Sequence, residues 1–253
     1  MQTIGLAAAA VLAASGFWTA NDPFVGKWRL DVSRSTIVDA MQVEAVGPNR
    51  YAFNFEGGPT ETVVADGTDQ PGVPGTTLAI KVDDARHLKV VRKQDGKVIV
   101  SASWRLSADG RTLRDAFSNL QPDGSAVTVD YLYRRTAGTS GFAGRWESTT
   151  KPVGLKLELA IQPYAGKGLS FVSPGANKSL VFDGRDHAQG GAKDGLVLSG
   201  RRRGARALDY TETAGGKLAD TRQFQLSRDG RTLTETLRIP GQTTPTVFVF
   251  ARQ

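Results

Sequence analysis

Apolar and polar positions alternate along most of the chain. Leu155, Leu157, Leu159 and Ile161 are separated by Lys156, Glu158 and Ala160. The same period of two links Val98, Val100, Ala102, Trp104 and Leu106, and again Val127, Val129, Tyr131 and Tyr133. In an extended strand this spacing sends one set of side chains inward and the other to water. Polar residues between the apolar ones point to antiparallel sheets with one wet face. Turn dipeptides punctuate the runs: Asp95-Gly96, Asp109-Gly110, Asp123-Gly124, Gly215-Gly216 and Asp229-Gly230. Such pairs accept the positive φ that tight hairpins need. No stretch carries helical periodicity of useful length. The pattern predicts an all-β protein with about eight or nine short strands in each half, joined mostly by hairpins.

The pattern also occurs twice. Phe24-Val25-Gly26-Lys27-Trp28 is echoed by Phe142-Ala143-Gly144-Arg145-Trp146. Thr76 to Phe117 aligns without a gap against Leu196 to Leu237, and Val64–Asp69 corresponds to Val181–Asp186. At the ends, Tyr131, Tyr133 and Arg135 fall opposite Phe248, Phe250 and Arg252. A period of half the chain implies two related domains rather than a solenoid. The polar, glycine-rich stretch Thr136 to Gly141 marks the break. The expected units are residues 22–137 and 142–253, with 138–141 as linker, and 253 residues suffice for two cores.

Composition narrows the function classes. A net charge of +7 favours anionic partners. With no cysteine, disulfides, cysteine metal sites and a cysteine nucleophile are excluded. Ile4 to Ala14 is nearly all apolar, too short to span a bilayer but suited to the core of a signal peptide. Small residues follow it, so residues 1–20 are expected to be a cleaved leader and the mature protein to be periplasmic or secreted. No later stretch predicts a transmembrane segment.

The Gly-x-Trp on a first strand with an arginine ending the last strand resembles the lipocalin and wider calycin arrangement. The first half is also similar to small exported bacterial lipocalin-like proteins, through Phe24 to Leu30 and then Ser33-Arg34-Ser35. The resemblance implies two tandem antiparallel up-and-down barrels. It implies closure by Gly26, Trp28 and Arg135 in the first and by Gly144, Trp146 and Arg252 in the second. A flat guanidinium would cover each indole and cap nearby carbonyls. The second copy departs from the motif after Trp146, reading Glu147-Ser148-Thr149-Thr150.

Within such barrels Trp104, Tyr131, Tyr133, Phe248 and Phe250 are the expected ligand-binding residues, with Phe224 beside them. The tyrosines make the first domain the better candidate, because a phenol can bond a polar ligand atom. The expected function is a binding protein holding a small apolar or amphipathic ligand. Basic residues at Arg86-His87-x-Lys89 to Arg92-Lys93 and at Arg201-Arg202-Arg203 with Arg206 would attract an acidic headgroup. The same residues support an alternative, an interaction surface for an acidic glycan or envelope partner. They lack the interleaved aromatics of a nucleic-acid platform. A second alternative is a metal-dependent enzyme at Asp183, Asp186 and His187, with Asp194 nearby. Asp183-Gly184 also reads as a turn, and the first copy has Asp66 and Asp69 without a histidine. No Gly-x-Ser-x-Gly, His-Glu-x-x-His or phosphate-binding loop occurs. The expectation is therefore no catalysis, no metal and no cofactor.

Overall fold

The computed structural model describes residues 22–55, 59–120, 124–152, 155–174, 176–190 and 195–253. The expected leader at residues 1–20 lies outside them, as does Asp194. Among the described residues all regular structure is β. The first run comprises β1 (Gly26–Leu30), β2 (Asp39–Gly47), β3 (Arg50–Phe55), β4 (Glu61–Val64), β5 (Gln70–Pro71), β6 (Thr76–Asp84), β7 (His87–Gln94), β8 (Lys97–Leu106), β9 (Thr112–Leu120) and β10 (Ala126–Ala137). The second comprises β11 (Gly144–Ser148), β12 (Glu158–Tyr164), β13 (Gly168–Ser173), β14 (Ala176–Val181), β15 (Asp183–Ala188), β16 (Val197–Gly204), β17 (Ala207–Ala214), β18 (Lys217–Leu226), β19 (Thr232–Arg238) and β20 (Thr246–Arg252). Each sheet has ten strands, slightly more than the alternation suggested, because short edge strands such as β5 carry little pattern.

The hairpins form as their turn residues dictate. Asp95-Gly96 joins β7 to β8 with φ of 49° and 74°, and Gly215-Gly216 joins β17 to β18 with 54° and 75°. Both are two-residue loops with positive φ throughout, the geometry that matches strand twist. The alternation over Leu155–Ile161 is shorter as a strand than expected: β12 begins only at Glu158.

The two sheets are antiparallel, nearly closed barrels, but their strands do not follow the two halves of the chain. The first is ordered β4-β3-β2-β11-β10-β9-β8-β7-β6-β5, and the second β14-β13-β12-β1-β20-β19-β18-β17-β16-β15. Each Gly-x-Trp strand has moved into the other copy's barrel. Trp28 lies opposite Arg252 and Leu159, while Trp146 lies opposite Arg135 and Met41. This corrects the expected Trp28–Arg135 and Trp146–Arg252 pairs and the contiguous units 22–137 and 142–253. The first barrel is built from β2–β11, the second from β1 and β12–β20.

Chain connectivity supplies the reason. Only residues 138–143 separate β10 from β11, so folding β11 back on β10 is a hairpin with little closure entropy. Gly138 makes it tight, since a Cβ there would sit 2.7 Å from Gly144 Cα. β11 thus takes the slot beside β10, and β1 fills the equivalent slot between β12 and β20. The hydrophobic cores follow: Phe24, Trp28 and Leu30 pack with Ile161, Leu226 and Phe250, whereas Phe142 and Trp146 pack with Met41, Trp104 and Tyr133. Glu147 on β11 also accepts hydrogen bonds from Thr243 and Thr244 of the second barrel, fastening the two together.

The exchange predicts a crosslink. Arg29 pairs with Glu158 across β1 and β12, with its guanidinium 3.7 Å from the carboxylate. Cross-strand neighbours have Cα atoms about 4.5–5.5 Å apart, within disulfide reach. An Arg29→Cys, Glu158→Cys variant should oxidise to an intramolecular disulfide, seen as a shift on a non-reducing gel. Arg29→Cys with Arg134→Cys should stay reduced, because β11 and not β1 lies beside β10. Crosslinking of the second pair instead would refute the exchanged topology.

Both seams are closed by side-chain amides. Gln70 accepts from Val64 N at 2.9 Å and donates to Val64 O at 2.7 Å. Gln189 does the same with Ser179, at 3.0 and 2.9 Å. Each amide imitates one residue of a paired strand, satisfying an edge that would otherwise invite aggregation.

Candidate ligand cavity

One end of each barrel is sealed by its Trp–Arg pair. Arg135 lies 4.1 Å over Trp146 and donates to Gly110 O, Ala143 O and Gly141 O. Arg252 lies 4.1 Å over Trp28 and donates to Gly230 O, Val25 O and Pro23 O. The indole N–H groups donate to Phe142 O and Phe24 O. Gly144 and Gly26 make room: their φ values are 154° and 151°, and a Cβ at either would stand 2.6 Å from the guanidinium. All six residues expected to close barrels do so, with partners exchanged.

The other end of the first barrel is open. Along β8 the inward residues pass from buried Leu106 and Trp104 to half-buried Ala102 and Val100, beyond which a bulge leads to exposed Val98. Above the sealed floor lies a cavity of about 360 Å³ lined by Asp39, Phe55, Val90, Arg92, Val100, Ala102, Trp104, Asp115, Phe117, Tyr131 and Tyr133. Trp104, Tyr131 and Tyr133 therefore stand together as expected. Phe248 and Phe250 line a separate, smaller cavity of about 240 Å³ in the second barrel.

Strand register explains the polar floor of the first cavity. Trp104, Asp115 and Tyr131 lie side by side across β8, β9 and β10. Tyr133, Ser148 and Asp39 form a second row across β10, β11 and β2. Because Ser148 is small, the Tyr133 hydroxyl reaches over it and donates to Asp39 Oδ2 at 2.7 Å. Burial pushes the Asp39 carboxyl up, and the Tyr133 bond opposes that only in part. Burial and the neighbouring Asp39 raise the Tyr133 phenol far above its ordinary range, so it stays a donor.

Asp115 is the unusual group. It is 5% exposed, and its Oδ1 has no hydrogen-bond partner. The Trp104 indole N–H beside it is also buried and reaches bonding geometry with nothing. Burial pushes Asp115 up to about 7; the indole works against this, while Asp39 and Asp130 add to it. Arg92 cannot neutralise it freely, because its guanidinium holds Glu61 through both nitrogens, at 3.0 and 2.6 Å, and Thr76 Oγ1 at 3.0 Å.

Neither Asp39 nor Asp115 was singled out from the sequence. A signal existed: Asp115 falls between Leu113 and Phe117 on the inward parity of β9, and the second copy has Glu235 there. A carboxylate in an apolar parity is costly unless something pairs with it.

The other expected sites disperse. Lys89 pairs with Asp83, Lys93 with Asp69, His87 with Asp84, Arg203 with Asp209 and Arg202 with Asp22. The basic clusters are thus largely matched by adjacent acids and do not build one anion-facing rim. Asp183 accepts from Arg185 N and bonds the His187 ring at 2.9 Å; these contacts hold its carboxyl below the usual range. Among the described residues no group of three or more His, Asp or Glu side chains converges as metal ligands, Asp183, Asp186 and His187 included. Nor is any described helix long and apolar enough to cross a membrane.

No family model matches the chain, and no curated protein matches it in sequence. The functional reading therefore stands on the barrels and the cavity.

Proposed function

We propose that this is an exported binding protein, of the lipocalin-like kind its motifs resemble, that takes a small amphipathic ligand into its first barrel. The observation that carries the reading is the contrast between the lumens. The first is a mouth-to-floor cavity with aromatic walls and a polar floor, the usual form of a small-molecule site. The second is crossed by Arg222, which bonds Asp220 and Glu235 inside it. Tyr131 and Phe117, ring centroids 6.0 Å apart, would flank the ligand's apolar part. The polar end would meet Asp39, Asp115, Trp104 and Tyr133.

Native mass spectrometry of protein purified from its own cell envelope tests this reading. A co-purifying small molecule is expected. Tyr131→Ala should release it, and Phe248→Ala, in the other barrel, should not. Retention in Tyr131→Ala with loss in Phe248→Ala would place the site in the wrong barrel. N-terminal sequencing of the same preparation checks export: the mature chain should start near residue 21, and an intact Met1 would oppose it.

A further inference from the structure

The second barrel shows what an inward acid at this level of the sheet is matched to. Arg222 donates from Nη1 to Glu235 at 2.7 Å and from Nε and Nη2 to Asp220 at 3.2 and 3.1 Å. Its guanidinium lies 6.0 Å from the Tyr210 ring centre. Burial works against that charge, but Tyr210, Glu235 and Asp220 together hold it firmly protonated. The second barrel therefore contains its own organic cation, enclosed by carboxylates and a ring.

In the first copy the cation is missing and the acid remains. Ala102 stands where the second copy has Arg222, Val100 where it has Asp220, and Asp115 where it has Glu235. The side chain lost at position 102 coincides with the larger cavity, about 360 against 240 Å³. Asp115 keeps its place on β9, buried and unpartnered at Oδ1, with Asp39 as a second carboxylate on the same floor. Among the described lining residues the one cation is Arg92, already engaged with Glu61.

A buried carboxylate is costly alone and favourable when a cation with good geometry joins it. Aromatic faces nearby add cation–π attraction. We propose that the first barrel binds an organic monocation, an amine or guanidinium carried on an apolar body, with its charge against Asp115 and Asp39 and its body against Phe117, Tyr131 and Val100. The proposal rests on the first barrel being the ligand site. It reverses the sign expected from the protein's basic composition, because the net charge is carried outside and the lumen floor is acidic.

Three probes of equal length separate the possibilities: n-octylamine, n-octanol and n-octanoate, titrated calorimetrically at a pH well above the Asp115 value. Octylamine should bind about tenfold or more tighter than octanol, since a charge-assisted contact is roughly twice as strong as a neutral one. Octanoate should bind weakest. Asp115→Asn should remove the preference for the amine while leaving octanol binding in place. Ala102→Arg should restore the resident cation of the second barrel and abolish octylamine binding in a chain of unchanged circular dichroism; it also serves if Asp115→Asn fails to fold. The preference should shrink as pH falls through about 7 and Asp115 takes up its proton. The groups facing it are Asp39 from β2, Arg92 from β7, Trp104 from β8, and Tyr131 and Tyr133 from β10, while Asp130, paired with Arg114 on the outer face, acts on it only at a distance. Equal binding of octylamine and octanol would overturn the cation but keep the lumen as a ligand site. Preferred octanoate would overturn it in favour of an anion. Failure of all three to bind would remove both this proposal and the ligand-binding reading beneath it.

Discussion

Trp28→Ala should destabilise the second barrel, by about 3–5 kcal/mol, and leave the first nearly untouched. The residue number places Trp28 in the first copy, but β1 lies between β12 and β20. The indole is fully buried among second-barrel side chains and supplies the surface on which Arg252 rests. Truncation leaves a cavity too enclosed to collapse, and strips Arg252 of its aromatic partner. It also removes the bond to Phe24 O, which holds the entering segment in place. Backbone hydrogen exchange resolves the two barrels separately. Protection should fall in β12, β19 and β20 and persist in β9, β10 and β11. Trp146→Ala should give the mirror image, loosening β2 and β10. Loss of protection in β10 on replacing Trp28 would mean that each copy keeps its own first strand.

The exchange makes each barrel incomplete without the other half of the chain. After β1 the chain leaves the second barrel and enters the first through residues 31–38, which are themselves hydrogen-bonded to β20: Thr36 bridges Val247, and Ser35 Oγ accepts from Val249 N. The crossover is thus not a loose tether. A reciprocal exchange of equivalent strands preserves nearly every local contact, so its free-energy cost is small. What selects it is the short β10–β11 hairpin together with contacts that exist only between barrels, such as Glu147 with Thr243 and Thr244.

This explains which parts of the structure were legible in the sequence. Alternation and Asp-Gly or Gly-Gly turns depend on neighbours in the chain, so the strands and hairpins follow from them directly. The Gly-x-Trp and terminal Arg motifs state a local fit: an indole, a guanidinium, and a glycine that lets them approach. They do not state which copy supplies each member. Both copies carry the same motif, so pairing Trp28 with Arg135 or with Arg252 satisfies it equally, and what breaks the tie, the short linker and the contacts between barrels, lies outside the motif. The aromatics of the lumen were legible because Trp104, Tyr131 and Tyr133 share an inward parity. The acids were harder to see, because Asp115 resembles a surface residue until its parity on β9 is compared with Leu113 and Phe117. Asp39 sits at the start of β2, where alternation has barely begun. The basic clusters misled for a related reason: a sequence shows runs of one sign, whereas Asp83 and Asp209 meet them across a hairpin and Asp69 and Asp22 reach them from more distant parts of the chain.

Asp115→Asn should stabilise the unliganded protein at neutral and alkaline pH, by roughly 2–4 kcal/mol, and have no such effect near pH 4. The direction follows from the raised carboxyl. In the fold Asp115 titrates at about 7, against 3.8 when exposed, so between those values the native state holds a proton that the unfolded chain has released. Stability then falls as pH rises through that window, the opposite of a salt-bridged aspartate. Below it the acid is neutral in both states and costs nothing. Above it the cost of burying a charge whose Oδ1 has no partner is present, offset only in part by the Trp104 indole, and an amide of the same shape escapes it at every pH. Asp39 is also raised and contributes in the same direction, but it remains in both proteins and largely cancels from the comparison. Urea midpoints at pH 4, 6 and 8 should diverge steadily between wild type and variant. A constant difference, or a variant less stable at pH 8, would mean that Asp115 is paired in the free protein. A bound cation should narrow the gap: saturating octylamine stabilises the wild type by mass action and does little for the amide. Second-barrel Glu235 is already satisfied by Arg222, so its replacement by Gln should show no such narrowing with octylamine.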